Sequence, residues 1–444
     1  MASETASLQP IYAEEMPSDP DELNRSFISY LQRLQERTQP SVLGYVEADV
    51  LRAFGDFRLA HPDPKFDDLV STMNTLLEED APARTTDAQN KFRNLYQEAH
   101  EICFPTASVY LKRCHELVGF TSDWNFAQVE LDRLRQFDAA AQSDPNFRDL
   151  MSRARQRLAA VKTWPDANAY RQFFDDYSEA LVYDLLKGRM RLSKMPEGKD
   201  PTPDFECHLD DLTFYLEVKS LDVVDAEQRH DELMVDALEV QGDLESQRRN
   251  GHILLWAERE IAPYRRFKQV EGYDPRSLLT VIRTISQKAR GNFKASQFEL
   301  GPTFGVLNLM RLGLPGQGRN ALAPYYCDPT EPTCCPSGVL WTVAFGKPGM
   351  LLLRWPEFEG SGNIEASLDE TGILADCASP FPGVGLMFLD GLRGALSLYG
   401  LCETRRSWDR WNWDADKSAK VLSSACADYN DNSNSRCFAL SLRR

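Results

Sequence analysis

The stretch that decides the fold reads Pro203-Asp204-Phe205-Glu206-Cys207, then a polar turn from His208 to Asp211, then Leu212-Thr213-Phe214-Tyr215-Leu216-Glu217-Val218-Lys219. Apolar and aromatic residues on either side of a short polar turn predict two β-like runs, Asp204 to Cys207 and Leu212 to Val218. Side chains alternate along a strand, so Glu217 and Lys219 share one face while Leu216 and Val218 share the other. If the runs pair as a hairpin, Asp204 approaches Glu217. Two carboxylates side by side are costly without a cation, and they are what a hard divalent ion such as Mg²⁺ requires. A metal held this way orients a water and stabilises charge on a phosphoryl oxygen, while Lys219 positions or activates the nucleophile. The reaction predicted is phosphodiester hydrolysis.

Working outward, Trp164, Pro165 and Asp166 open a helix whose apolar stripe is Tyr170, Phe173, Phe174, Tyr177, Leu181 and Leu185, ending near Gly188. Downstream come a polar helical stretch, Ala226 to Arg249, and an apolar run, His252 to Ala257. A second amphipathic helix, Arg276 to about Gln297, buries Leu279, Ile282, Ile285, Ala289 and Phe293, and a strand-like run from Phe304 to Met310 follows. On the second helix Arg283, Gln287, Arg290 and Lys294 form a polar stripe. Residues 246–294 carry 11 Lys+Arg against 4 Asp+Glu, a basic patch suited to phosphates or an ordinary solvated face.

This order of elements, with Asp204 before Glu217-Val218-Lys219, resembles the PD-(D/E)xK, or restriction-endonuclease-like, nuclease superfamily over about residues 165–310. The resemblance implies an α/β fold with a mixed sheet flanked by helices. It implies Asp204, Glu217 and Lys219 as catalytic residues with Mg²⁺ or Mn²⁺ as cofactor. Members often carry an acidic residue on the first core helix, and Glu179 looks similar to that position as a further metal ligand. On the helical wheel Glu179 leaves the aromatic stripe for a face shared with Val182 and Leu186, so a solvated surface role stays open. The resemblance also singles out Gln287 and Lys288 as neighbours of the cleaved strand. It implies a nucleic-acid substrate, DNA before RNA, in restriction, phage defence or repair. The alternative is a catalytically inactive nucleic-acid- or protein-binding module on the same fold.

The remaining chain divides by texture into an acidic disordered tail, 1–24, an α-helical N-terminal domain, 25–160, the nuclease-like core, 161–311, and a β-rich C-terminal region, 312–444. The β-rich expectation rests on the apolar runs Val339 to Phe345, Met350 to Trp355 and Val384 to Leu389. Across 444 residues there are 50 Lys+Arg against 67 Asp+Glu, a net charge of −17 that excludes a uniformly basic nucleic-acid coat. Residues 1–100 carry 9 Lys+Arg and 18 Asp+Glu, which directs the helical domain to oligomerisation or protein contacts. No apolar run approaches the roughly 20 residues of a membrane span, and no secretory leader is visible, so a cytoplasmic location without membrane contact is expected.

Cys327, Cys334 and Cys335 lack paired C-x-x-C arms and a nearby His, which favours thiols over zinc. The glycines Gly313, Gly316 and Gly318 make a turn-rich loop, not a phosphate loop. Trp408, Trp411 and Trp413 offer base stacking or core packing, and His208 and His230 read as plain polar residues. No H-E-x-x-H or G-x-S-x-G occurs.

Overall fold

The computed structural model describes residues 48–78, 85–118, 129–161, 167–196, 202–221, 242–251, 278–312, 339–349, 364–375, 380–390, 395–404 and 407–431, with a few short pieces between them. The acidic tail, the helical run at 226–239, His230 and the glycine loop lie outside the described residues. The chain divides into two compact units, Met1–Pro105 and Thr106–Arg444.

In the first unit α1 (Ala48–Ala60), α2 (Pro64–Glu78) and α3 (Thr86–Cys103) share an aromatic core. The ring of Phe54 lies 6.4 Å from Phe66 and 5.5 Å from Tyr96. Thr85 starts α3 by accepting the Ala88 amide at 3.1 Å, which satisfies one of the free donors at that helix end.

The second unit begins one residue into α4 (Pro105–Val118) and continues with α5 (Leu131–Ala140), α6 (Pro145–Ala160) and α7 (Ala167–Leu186). Sequence texture grouped 25–160 as one domain, yet the helices after residue 105 pack into this unit. The apolar face of α6, Phe147, Leu150, Met151, Ala154 and Leu158, is buried, and Phe147 stacks 5.1 Å from Phe137, which in turn lies 6.1 Å from Tyr177 on α7. Covered this way, α7 is buried on nearly every side from Asp176 to Tyr183.

A seven-stranded mixed sheet makes the fold α/β. Its strands are β1 (Arg191–Lys194), β2 (Phe205–Leu209), β3 (Leu212–Ser220), β4 (Thr303–Asn308), β9 (Gly383–Asp390), β10 (Ala395–Cys402) and β11 (Asp428–Asp431), neighbours in that order. The pairs β1–β2, β2–β3 and β9–β10 are antiparallel; β3–β4, β4–β9 and β10–β11 are parallel. The β2–β3 hairpin turns at Asp210, whose φ of 51° is one that Asp tolerates. Between β3 and β4 the chain forms α8 (Leu278–Asn292), and between β10 and β11 it forms α10 (Ala415–Ala425). Two short antiparallel pairs, β5 (Tyr326–Cys327) with β6 (Cys334–Cys335) and β7 (Leu351–Leu353) with β8 (Ile364–Ser367), stand apart from this sheet.

Helices cover both faces. On the side of Leu307, Leu386 and Leu401, a core forms with Val281, Ile282, Ile285 and Ala289 of α8 and Leu340, Val343 and Ala344 of α9 (Val339–Phe345). On the other side Phe214 and Phe304 pack against Trp413 at 6.2 and 6.1 Å, and Phe205 stacks with Tyr183 of α7 at 6.1 Å. The expectation of a strand-like run at Val339 to Phe345 is thus corrected to a helix. Leu340, Trp341, Val343, Ala344 and Phe345 are all buried, so the run carries no polar face to reveal its period. Nor is the C-terminal region separate, since β9, β10 and β11 complete the sheet that holds the hairpin. Among the described residues no helix is long and apolar enough to cross a membrane.

Candidate active site

The hairpin forms in the expected register. Phe205 pairs with Leu216, and the Asp204 amide donates to the Leu216 carbonyl at 2.9 Å, so Asp204 stands one step on, across from Glu217. Asp204 is held at two points: Oδ2 accepts the Val218 amide at 2.7 Å, and Oδ1 accepts from Lys194 Nζ at 3.1 Å. Glu217 is 1% exposed. Its Oε1 takes the Lys219 ammonium and the Gln297 side-chain amide, while Oε2 is buried with no hydrogen-bond partner.

The burial of Glu217 has an identifiable wall. Gly305 of β4 is its register neighbour, and a Cβ there would come within 2.9 Å of both Phe293 and Phe381. Phe381 packs edge to face against both Phe293 and Phe298 with centroids 4.7 Å apart in each pair, leaving an apolar cover over that side of the sheet. Burial therefore pushes the Glu217 carboxyl well above its usual range and the Asp204 charge pushes it further, with Lys219 pulling the other way. Lys219 is half-buried, which works against its charge, but Glu217 and Asp204 outweigh that and raise its pKa. Lys219 is consequently a cation at neutral pH.

Glu179 is buried. Its Oε2 meets Lys194 Nζ at 2.7 Å and an Arg153 guanidinium nitrogen at 2.8 Å. An ion chain runs on from there, with Arg153 3.5 Å and Arg157 3.2 Å from Asp176, a carboxylate with no exposed surface. Burial raises the Asp176 pKa to about 7, with Glu179 adding and the two arginines opposing. Beyond Lys219 the strand ends in a polar cluster: Ser220 Oγ lies 2.7 Å from Ser178 Oγ, which accepts from Asn308 Nδ2 at 2.8 Å. Nearby Asp175 is raised to about 6 by burial, against the pull of Lys219.

Four residues named from sequence, Asp204, Glu217, Lys219 and Glu179, thus meet around the hairpin, and Glu179 proves buried. It is committed to Lys194 and Arg153. Among the described residues no group of three or more His, Cys, Asp or Glu is arranged to hold a metal ion; Asp204 and Glu217 face each other across the hairpin as a pair of carboxylates. Two carboxylates fit Mg²⁺ or Mn²⁺, ions that keep several waters, and the partnerless Glu217 Oε2 is a donor atom with nothing to donate to.

The α8 stripe has partners. Arg283 pairs with Asp369, Gln287 donates to Glu370 Oε1 at 2.8 Å, and Arg290 meets Glu370 Oε2 at 3.1 Å. Lys294 is exposed at the start of the turn that carries Gln297, and its amide donates to Gln297 Oε1 at 2.8 Å; Lys288 is half-buried. Trp413 is a core residue, donating from its indole to Ser418 at 2.9 Å, and His208 ties Glu206 to Thr213. Cys327 and Cys334 are opposite partners in the β5–β6 pair.

Sequence reading missed Lys194 and Gln297. Lys194 closes a four-residue strand, Arg-Leu-Ser-Lys, too short to show a period. Gln297 sits where an amphipathic pattern fades, in a 3₁₀ turn after α8. No known protein family, curated protein or solved structure matches the chain.

Proposed function

We propose that the chain is a divalent-metal-dependent nuclease of the PD-(D/E)xK type that hydrolyses phosphodiester bonds, with DNA as its substrate. The observation that carries this reading is Glu217: a buried carboxylate across from Asp204, one oxygen held by Lys219 and the other without a partner. A protein interior does not keep such an atom at no cost. The succession of α7, β1 to β3, α8 and β4, with β3 and β4 parallel, supports the same reading.

Asp204 and Glu217 would hold a divalent ion, which would supply Lewis acidity to a phosphoryl oxygen and lower the pKa of a bound water. The chain's own groups prepare that chemistry. The Val218 amide and Lys194 hold Asp204 in place, and Gln297 holds Glu217, so neither carboxylate has to be ordered when substrate arrives. Lys219, a cation, is suited to hold the attacking water and to stabilise negative charge on the phosphoryl oxygens rather than to accept a proton. The aromatic cover of Phe293, Phe298 and Phe381 keeps the surroundings of Glu217 at low polarity, where those charges act more strongly.

The test is cleavage of supercoiled plasmid, single-stranded DNA and RNA with Mg²⁺ or Mn²⁺ against chelator. Metal-dependent cutting that falls by at least about 10²-fold in both Asp204→Ala and Lys219→Ala is expected. Cutting that persists in both variants, or that ignores chelator, sinks the assignment. The pairing of the α8 cations with Asp369 and Glu370 favours a second reading in one respect, a catalytically inactive nucleic-acid- or protein-binding module on the same fold. Binding of nucleic acid without metal and without cleavage would select that reading.

A further inference from the structure

Lys194 stands where a metal centre built on three carboxylates would place a cation. Its ammonium lies 2.7 Å from Glu179 and 3.1 Å from Asp204, its side chain is only 7% exposed, and it passes 5.2 Å from the Phe205 ring. Arg153 reaches the same Glu179 oxygen from α6 at 2.8 Å. Two fixed positive charges thus guard Glu179, and a divalent ion approaching it meets their repulsion. The other side of Asp204 differs. There Glu217 offers Oε2 with no partner, and the Asp204 oxygens, each with one hydrogen-bonded contact, retain further acceptor capacity.

We infer that Lys194 serves as the second cation of the centre, so that the protein takes a single divalent ion, between Asp204 and Glu217, with Glu179 excluded from its coordination. This rests on the metal-dependent reading above. Lys194 is then a positioning residue: it neutralises Glu179, steadies Asp204 and fixes the number of ions bound.

The experiment counts Mn²⁺ ions on the full-length protein by calorimetry and by the electron paramagnetic resonance of free Mn²⁺. Wild type is expected to bind one ion per chain. Lys194→Met should bind a second, or bind the first at least tenfold more tightly, because Glu179 and Asp204 are left with an unbalanced charge. Adding Glu179→Gln to Lys194→Met should restore one ion, and Lys194→Arg, which keeps the charge, should behave as wild type. Two ions on wild type would overturn the inference whether or not Lys194→Met folds. So would a folded Lys194→Met with unchanged stoichiometry and affinity, and either result would leave the nuclease reading standing. Absence of Mn²⁺ binding to wild type would overturn both.

Discussion

At the residue scale, buried carboxylates dominate the chemistry of the second unit, and one of them isolates the effect away from the site. Asp138 on α5 is 4% exposed and accepts the Thr106 and Ala107 amides, both at 2.9 Å, at the start of α4. Negative charge suits a helix start, yet burial wins and raises its pKa from 3.8 to about 6. A raised folded pKa means that stability is fully present below the unfolded value and is lost as pH rises through about 6. The displacement corresponds to about 3 kcal/mol. Asp138→Asn keeps an acceptor for the amides but cannot ionise. Its unfolding free energy in urea should therefore fall less between pH 4 and 7 than that of wild type; equal slopes would refute the argument. Single residues were also where sequence was most and least informative. Asp204, Glu217 and Lys219 were legible because strand alternation and hairpin register are local. Lys194 was not, because its four-residue strand is too short to show a period, and Gln297 was not, because its partner Glu217 lies 80 residues away.

At the element scale, α8 shows how a pattern can be read correctly and its surroundings missed. Of its expected apolar face, Ile282, Ile285 and Ala289 are in the core and Leu279 and Phe293 pack partly buried against it, with Val281 joining them. Its polar stripe is occupied by Asp369 and Glu370, which no local signal in α8 announces. A phosphate backbone using that stripe has to displace them. Exposed pairs of this kind contribute about 0.2 to 1 kcal/mol each. Asp369→Asn combined with Glu370→Gln should thus tighten DNA binding by about threefold to tenfold at low salt, with the gain shrinking as salt screens the charges. Filter binding or anisotropy would measure it, and weaker or unchanged binding by the double variant would count against α8 as a nucleic-acid face. On the neighbouring strand, Gly305→Val should cost about 1 to 3 kcal/mol in thermal or urea melts, since its side chain would enter the space of Phe293 and Phe381. A variant as stable as wild type would show that those rings yield freely.

At the scale of the whole molecule, the core outlined from sequence at residues 161–311 is smaller than the unit that folds. Its strand β4 pairs along its far edge with β9, Val306 to Gly385 and Leu307 to Leu386, and its helix α7 is covered by α6. Residues 161–311 expressed alone should therefore aggregate or stay unfolded, while 106–444 gives a cooperative unfolding transition. A soluble, cooperatively folded 161–311 fragment would show that the outer strands are dispensable. Composition changes mark where the chain's texture shifts, but strand partners decide what must fold together, and composition carries no record of them. The β4–β9 pairing also has a consequence in time. When a ribosome has made Asn308, its partner Met387 is still about 80 residues away. At about 5 to 20 residues per second that is a wait of roughly 4 to 16 s. Through that interval β4, apolar on most of its length, is a nascent edge without a neighbour, and chaperone demand in the cell should be greatest there.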